Sequence, residues 1–468
     1  MSVFSSLFVP ETFNVQVAPS PMGDGNLCGA YLRALPALVS GRKGLKSLPT
    51  EILAKILLLV PERFEDEPKT WRFSCVLLGF VCMDWMDIVE HNPSFFSNIY
   101  VHPHTSLTLV QRTLERSGAV AFTLKIKFPP PSRYTTTSHQ MHLYIERRNS
   151  INAVFAIVGP EMHRCRRLLV DVDDHRILRR IFALSSIMVG DRMEELSVAS
   201  YQYMEPSYPA IAQPFAGLMP NLKEMHVLYQ AVKWTDYHFM SGLTILTIHN
   251  FADDRPTLDF IYEILDATPL LEILRLSLLA VADFEDSERE PSSLPLLSEI
   301  DIAADSESGS CLLTLLHMPA LRVLRFKVED DQDNAFQGLL GHCWDIGSQI
   351  TTLAIQVSLP TITLFLDCFE VFPNIQSFDA RVNIGFGVYL LAVVSHWPVG
   401  WTSLREVFLD DNLEEEILLT LLVGLSNGVP ESVRVISPRE LDTEGRPKIP
   451  SSSTLDRNWK LQHTTFRL

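Results

Sequence analysis

Gly424-Leu425-Ser426-Asn427-Gly428 has the Gly-x-Ser-x-Gly spacing that can hold a serine hydroxyl on a strained turn, and Asp442, Asp456 and His463 follow in a permissible triad order. Such an elbow needs a strand before the serine and a helix after it. Here Glu414 to Leu422 reads as a helix and Val429-Pro430 opens an extended segment, so the glycines read as a helix stop. A serine hydrolase is therefore the remotest functional reading. Gly23-Asp24-Gly25-Asn26-Leu27-Cys28-Gly29 imitates a dinucleotide loop, with the wrong last interval and no strand ahead of it. His102-Pro103-His104 and His139-Gln140-Met141-His142 bring no further cysteine or carboxylate at a metal-ligand spacing. No catalytic residue, cofactor site or metal site is expected. Six arginines between Arg164 and Arg180 form a basic strip that reads as a solvated face, or as a contact for an acidic partner.

With no chemistry of its own in view, the chain must be read through the elements that position its surfaces. It has 468 residues, 47% hydrophobic and 20% charged, which is the composition of a globular protein of more than one domain. A net charge of −17 argues against general nucleic-acid or anionic-membrane binding. The charge is uneven: residues 1–240 carry 24 basic and 22 acidic side chains, and residues 241–468 carry 15 and 34. Solvated acidic loops account for that second half, with a basic-surfaced ligand as the alternative. Seven cysteines, odd in number and without a Cys-x-x-Cys pair, suit reduced thiols in an intracellular, cytoplasmic or nuclear protein. No stretch reaches 18 apolar residues and the N-terminus has no signal-peptide pattern, so neither a membrane span nor export is expected.

Residues 48–99 are the most organised stretch. Ser47 precedes Leu48-Pro49-Thr50-Glu51-Ile52-Leu53, and Ile52, Leu53, Ile56, Leu57 and Val60 recur at helical spacing until Pro61. A second amphipathic segment, Trp71 to Leu78, leads into a third helix through Val81, Trp85, Ile88 and Val89 to His91, with Pro93 beyond. Three short helices bury little core alone, so a partner is expected.

This stretch resembles the F-box. The family's Leu-Pro-x-Glu-Ile-Leu stands at Leu48 to Leu53, its Val-Cys-x-x-Trp at Val81, Cys82 and Trp85, and Phe95-Phe96 stands where it has Leu-Trp. Asp84 replaces the usual basic residue before the tryptophan, and the acidic loop Pro61 to Pro68 lengthens the first connection. The resemblance implies docking on a Skp-type adaptor, and through it on a cullin-RING scaffold. The implied adaptor contacts are Leu48, Pro49, Ile52, Leu53, Ile56, Val81, Trp85 and Phe96.

Thr105 is a candidate cap for a helix through Leu107, Val110 and Leu114, and Ala121 to Phe128 alternates as a strand does. Pro129-Pro130-Pro131 then opens a polar loop to Ser138. From there the form apolar-x-x-apolar-x-apolar recurs, starting at Cys165, Met193, Leu222, Leu243, Leu271, Leu297, Leu321, Ile350, Ile375 and Leu404, at intervals of 21 to 29 residues. Five matches have proline two residues ahead, at 220, 269, 295, 319 and 373. Helix-like segments lie between the later ones, among them Phe260 to Leu265, Cys311 to His317 and Leu364 to Phe372.

The pattern resembles leucine-rich repeats, in which parallel strands line a concave face and helices the convex one. The Asn that follows the strand in that family recurs only at Asn383 and Asn412. The expected fold is thus α/β: a loosely ordered leader (1–44), a three-helix F-box (45–100), an irregular leucine-rich-repeat solenoid (101–440) and a C-terminal tail (441–468). A doubly wound parallel sheet is the alternative. The middle positions of the matches would face a protein target: His226, Thr247, Arg275, Asp301, Arg325, Asp379 and Phe408, together with Leu169, Ser197 and Ala354. The function implied is that of a non-enzymatic substrate-recognition subunit of an SCF-type ubiquitin ligase, the alternative being a repeat scaffold whose F-box does not assemble.

Overall fold

A computed structural model describes residues 48–62, 78, 81–128, 137–200, 214–217, 219–228, 237–250, 258–278, 291–304, 309, 312–313, 316–328, 340–341, 343–357, 367–368, 370–382, 403, 406–409 and 434–436. The chain divides into two units, Met1–Asn92 and Pro93–Leu468.

In the first unit helix α1 spans Thr50–Glu62, its first N–H groups, of Ile52 and Leu53, both donating to the Pro49 carbonyl at 3.0 Å. It runs one residue beyond Pro61. Helix α2 spans Met83–His91 and buries Trp85 and Val89. The helix expected around Trp71 to Leu78 lies outside the described residues, except for Leu78, which is buried.

The second unit is built on one parallel sheet. Its strands are β1 (Asn98–Val101), β2 (Phe122–Phe128), β3 (Cys165–Val172), β4 (Glu195–Ser200), β5 (Glu224–Leu228), β6 (Ile245–Asn250) and β7 (Ile273–Leu278). After a short β8 (Ser292–Ser293) come β9 (Glu299–Ala304), a short β10 (Leu316–His317), β11 (Val323–Val328), β12 (Thr352–Val357), β13 (Ser377–Val382), β14 (Glu406–Leu409) and β15 (Arg434–Ile436). Thirteen strands join in chain order, with β8 and β10 pairing separately. A doubly wound sheet reverses its strand order partway. This one never does, and each unit buries itself against its neighbours as a repeat array does.

Register follows the sequence pattern residue for residue. Leu169, Ser197, His226, Thr247, Arg275, Asp301, Arg325, Ala354, Asp379 and Phe408 are successive cross-strand partners. The flanking apolar positions point the other way and are buried, as with Leu274 and Leu276 or Ile300 and Ile302. The prolines have a specific place. In Met219–Leu222, Thr268–Leu271, Leu294–Leu297 and Met318–Leu321 the last N–H donates to the first carbonyl, which puts Pro220, Pro269, Pro295 and Pro319 second in a β-turn, where a fixed φ suits. One residue further on, N–H groups donate to the preceding repeat in an unbroken series, Lys223 to Glu194, Thr244 to Lys223, Glu272 to Thr244, Ser298 to Glu272 and Arg322 to Ser298, at 2.8–2.9 Å.

The ladder begins earlier than expected. Phe96-x-x-Ile99-x-Val101 and Ala121-x-x-Leu124-x-Ile126 fit the same form, and Ile99 pairs with Leu124 and Leu124 with Leu168. The two units divide at Asn92/Pro93, and Phe95 and Phe96 fall in the second. Helix α3 (Leu107–Arg116) follows Ser106 rather than Thr105, whose hydroxyl instead accepts from the His102 N–H. Helices α4 (Thr137–Val158) and α5 (His175–Ser185) were not expected, and α6 (Leu258–Asp266) was. Leu316–His317 is strand, where a helix was expected.

Candidate protein-binding surfaces

The F-box-like motif is split by the geometry of α1. Leu53 and Leu57 turn inward with Trp85, whereas Pro49, Ile52 (43% exposed) and Ile56 (39%) face outward, and Leu48 and Val81 are half-buried. Ile52 and Ile56 are one turn apart, so two large apolar side chains stand side by side in water. Asp84 is exposed in the first turn of α2, where its charge suits the helix dipole. Phe96 belongs to the second unit. It precedes β1, and the Arg116 guanidinium of α3 stacks 4.0 Å over its ring.

The second surface is the sheet face opposite the buried apolar rows. Side chains alternate, so the residue two before each middle position shares its face. Glu195, Glu224, Ile245, Ile273, Glu299 and Val323 thereby join the expected residues, and they form a second cross-strand row. That row was missed on sequence, although the period-two rule reaches it from His226 or Asp301. Thr247 is 7% exposed, more covered than its neighbours, and its hydroxyl has no hydrogen-bond partner. Asp379 and Phe408 are placed by backbone register alone.

The charges are mostly consumed in pairs. Arg167 donates to Glu195 at 2.5 Å, and Arg325 and Arg275 converge on one oxygen of Glu299 at 2.6 and 3.2 Å. Burial raises the Glu299 carboxyl pKa, but hydrogen bonds and charge from Arg325 and Arg275 more than offset it and hold it below the usual value. Asp301, flanked in register by the same two arginines, goes the other way: burial pushes its pKa up, and the arginine charges do not restore it. Burial lowers the His226 pKa against the opposing pull of Glu195 and Glu224. Glu224 lies 3.9 Å from the His226 ring.

In the arginine strip only Arg164 is buried; Arg166 is exposed and the other four are half-buried, most of them engaged within the unit. Arg164 is buried and donates to Glu161, Ser117 and Val120, Arg166 pairs with Glu194, Arg176 with Asp174, and Arg180 donates to Asn152. Ser426, its neighbours, and the 23–29 loop lie outside the described residues. Among the described residues no group of three His, Cys, Asp or Glu side chains is placed to hold a metal, and no helix is long and apolar enough to cross a membrane.

No family model matches this chain, and no curated protein does. Among solved structures it is similar to the leucine-rich repeat-containing protein LegL7 from Legionella pneumophila, at 12% identity and a TM-score of 0.34 over 76% of this chain and 93% of that one. The repeat architecture stands on the strand register.

Proposed function

We propose that the chain is a substrate-recognition subunit of an SCF-type cullin-RING ubiquitin ligase, with the first unit docking on a Skp-type adaptor and the ladder holding a target protein. The observation that supports it is the outward row Pro49, Ile52 and Ile56 on a helix whose other face, Leu53 and Leu57, is buried. Large apolar side chains left in water at motif positions are what an adaptor would cover, each worth about 1.5–3 kcal/mol when fully buried. On this reading the chain does no bond chemistry. It raises the effective concentration of target lysines at the conjugating enzyme.

Co-expression of the full chain with a Skp-type adaptor tests the proposal. A one-to-one complex should survive size-exclusion chromatography, and Ile56→Asp should abolish it without altering the unfolding of either unit. Leu53→Ala should instead destabilise the first unit by about 2–3 kcal/mol. Adaptor capture that is absent, or indifferent to Ile56→Asp, refutes the ligase role. The second reading, a repeat scaffold without ligase assembly, is favoured by Asp84, exposed where the F-box family carries a basic residue.

A further inference from the structure

We propose that the sheet face between β5 and β9 takes a basic peptide segment of the target, which sets a lysine or arginine against each of two carboxylates, Glu224 and Asp301. The inference rests on the ladder being the target-binding surface. The arginines of this face are already engaged, Arg167 by Glu195 and both Arg275 and Arg325 by Glu299. Glu224 and Asp301 are left over. Among the described residues Glu224 has the His226 ring 3.9 Å away, and Asp301 makes no ion pair although an arginine stands on either side of it in register. An incoming anion would therefore compete with the charge of Glu299 for two arginines, whereas an incoming cation finds acceptors that are unspent.

What lies between the two acids fits the rest of such a side chain. Ile245 and Ile273 are register partners on this face, half-buried, and the stem of a lysine can lie along them while its ammonium reaches Glu224. Thr247, more than nine-tenths buried on the same face, has a hydroxyl with no partner. Burial makes the ionised form of Asp301 costly to the fold, and a bound cation offsets that cost. The long-range field agrees, since residues 241–468 carry 34 acidic against 15 basic side chains.

The geometry sets the spacing of the two cations. From β5 to β9 is three strand intervals, about 14 Å at roughly 4.8 Å each, which an extended peptide spans in about four residues. The recognised segment is then of the form Lys-x-x-x-Lys with small or apolar residues between.

The test is fluorescence anisotropy on the full chain with labelled Gly-Lys-Ala-Leu-Ala-Lys-Gly amide, and with two comparators in which glutamate or phosphoserine replaces both lysines. The lysine peptide should bind saturably, weaken as salt is raised, and lose about tenfold in affinity to the Glu224→Gln, Asp301→Asn double variant. Asp301→Asn alone should weaken binding while leaving the fold at least as stable, which separates loss of contact from loss of structure. The inference is overturned if either acidic peptide binds as tightly, if the double variant binds undiminished, or if the lysine peptide fails to saturate below about 1 mM. Adaptor capture measured on the same preparations keeps the two readings apart. Peptide binding without adaptor capture refutes the ligase role alone, and adaptor capture without peptide binding refutes this inference alone.

Discussion

Glu299 and Asp301 sit two residues apart on β9, on one face, beside the same two arginines, yet converting each to its amide should move stability in opposite directions. Glu299 accepts from Arg325 at 2.6 Å and from Arg275 at 3.2 Å, and its side chain is 18% exposed. A hydrogen bond to a charged group is worth about 1.5–3 kcal/mol when sealed, but the Arg275 and Arg325 side chains are 43% and 39% exposed and keep much of their hydration. Glu299→Gln should therefore cost about 1–2 kcal/mol at neutral pH. Its folded pKa is depressed, so the stabilisation is present above the ordinary value of 4.5 and is lost as pH falls through the folded value. Asp301 has a raised folded pKa, so the native state holds its proton more tightly and stability falls as pH rises through that value. Asp301→Asn should thus stabilise the ladder at neutral pH. Urea unfolding followed by far-ultraviolet circular dichroism reads both, at neutral pH and again at about pH 3, where the two variants should approach the parent. Shifts of the same sign at neutral pH would refute the electrostatic reasoning, because the two substitutions are chemically alike and only their surroundings differ.

Two further outcomes follow from packing. Phe326 on β11 is 2% exposed and its ring edge lies where a Cβ on Gly309 would fall, 2.7 Å away, so Phe326→Ala should cost about 3–5 kcal/mol. In a repeat array that loss should appear first as faster amide exchange in β9, β11 and β12, with α1 and α2 unchanged; uniform loss of protection across the chain would contradict nearest-neighbour stability. Burial pushes the thiols of Cys165 and Cys343 up to about 12, and Cys368 well above its ordinary value. All three should resist iodoacetamide at about pH 8 until the ladder unfolds, since the thiolate is the reacting form.

The parallel ladder was legible because its signal is short-range and repeated. One apolar triple carries no information, but ten at similar intervals, five of them behind a proline, leave few arrangements of the chain, and the middle positions paired as the pattern required. Two helices escaped for different reasons. In α5, Ile177, Leu178, Ile181 and Phe182 lie on one buried stripe, but Arg176, Arg179 and Arg180 between them made the segment look like a solvated strip. Helix α4 mixes apolar and polar residues on all sides, so its periodicity is weak until Ile151, Val154, Phe155 and Val158 meet the core.

Sequence alone determined the period of the repeat, the prolines ahead of five of its strands, the face on which the middle position of each match lies and the motif on α1. Alternation and proline geometry act within a few bonds, so neighbouring residues suffice to read them. Tertiary structure decided which motif residues are spent inward and which remain outward, as with Leu53 against Ile56, and it drew Phe96 into the first repeat of the ladder. It also decided which charges are already paired. Arg275, Glu299 and Arg325 come from three strands and 51 positions of sequence, and only their register shows that Glu299 is consumed and Asp301 is not. Ion pairing depends on distances of a few ångströms across strands, and no spacing along the chain encodes those.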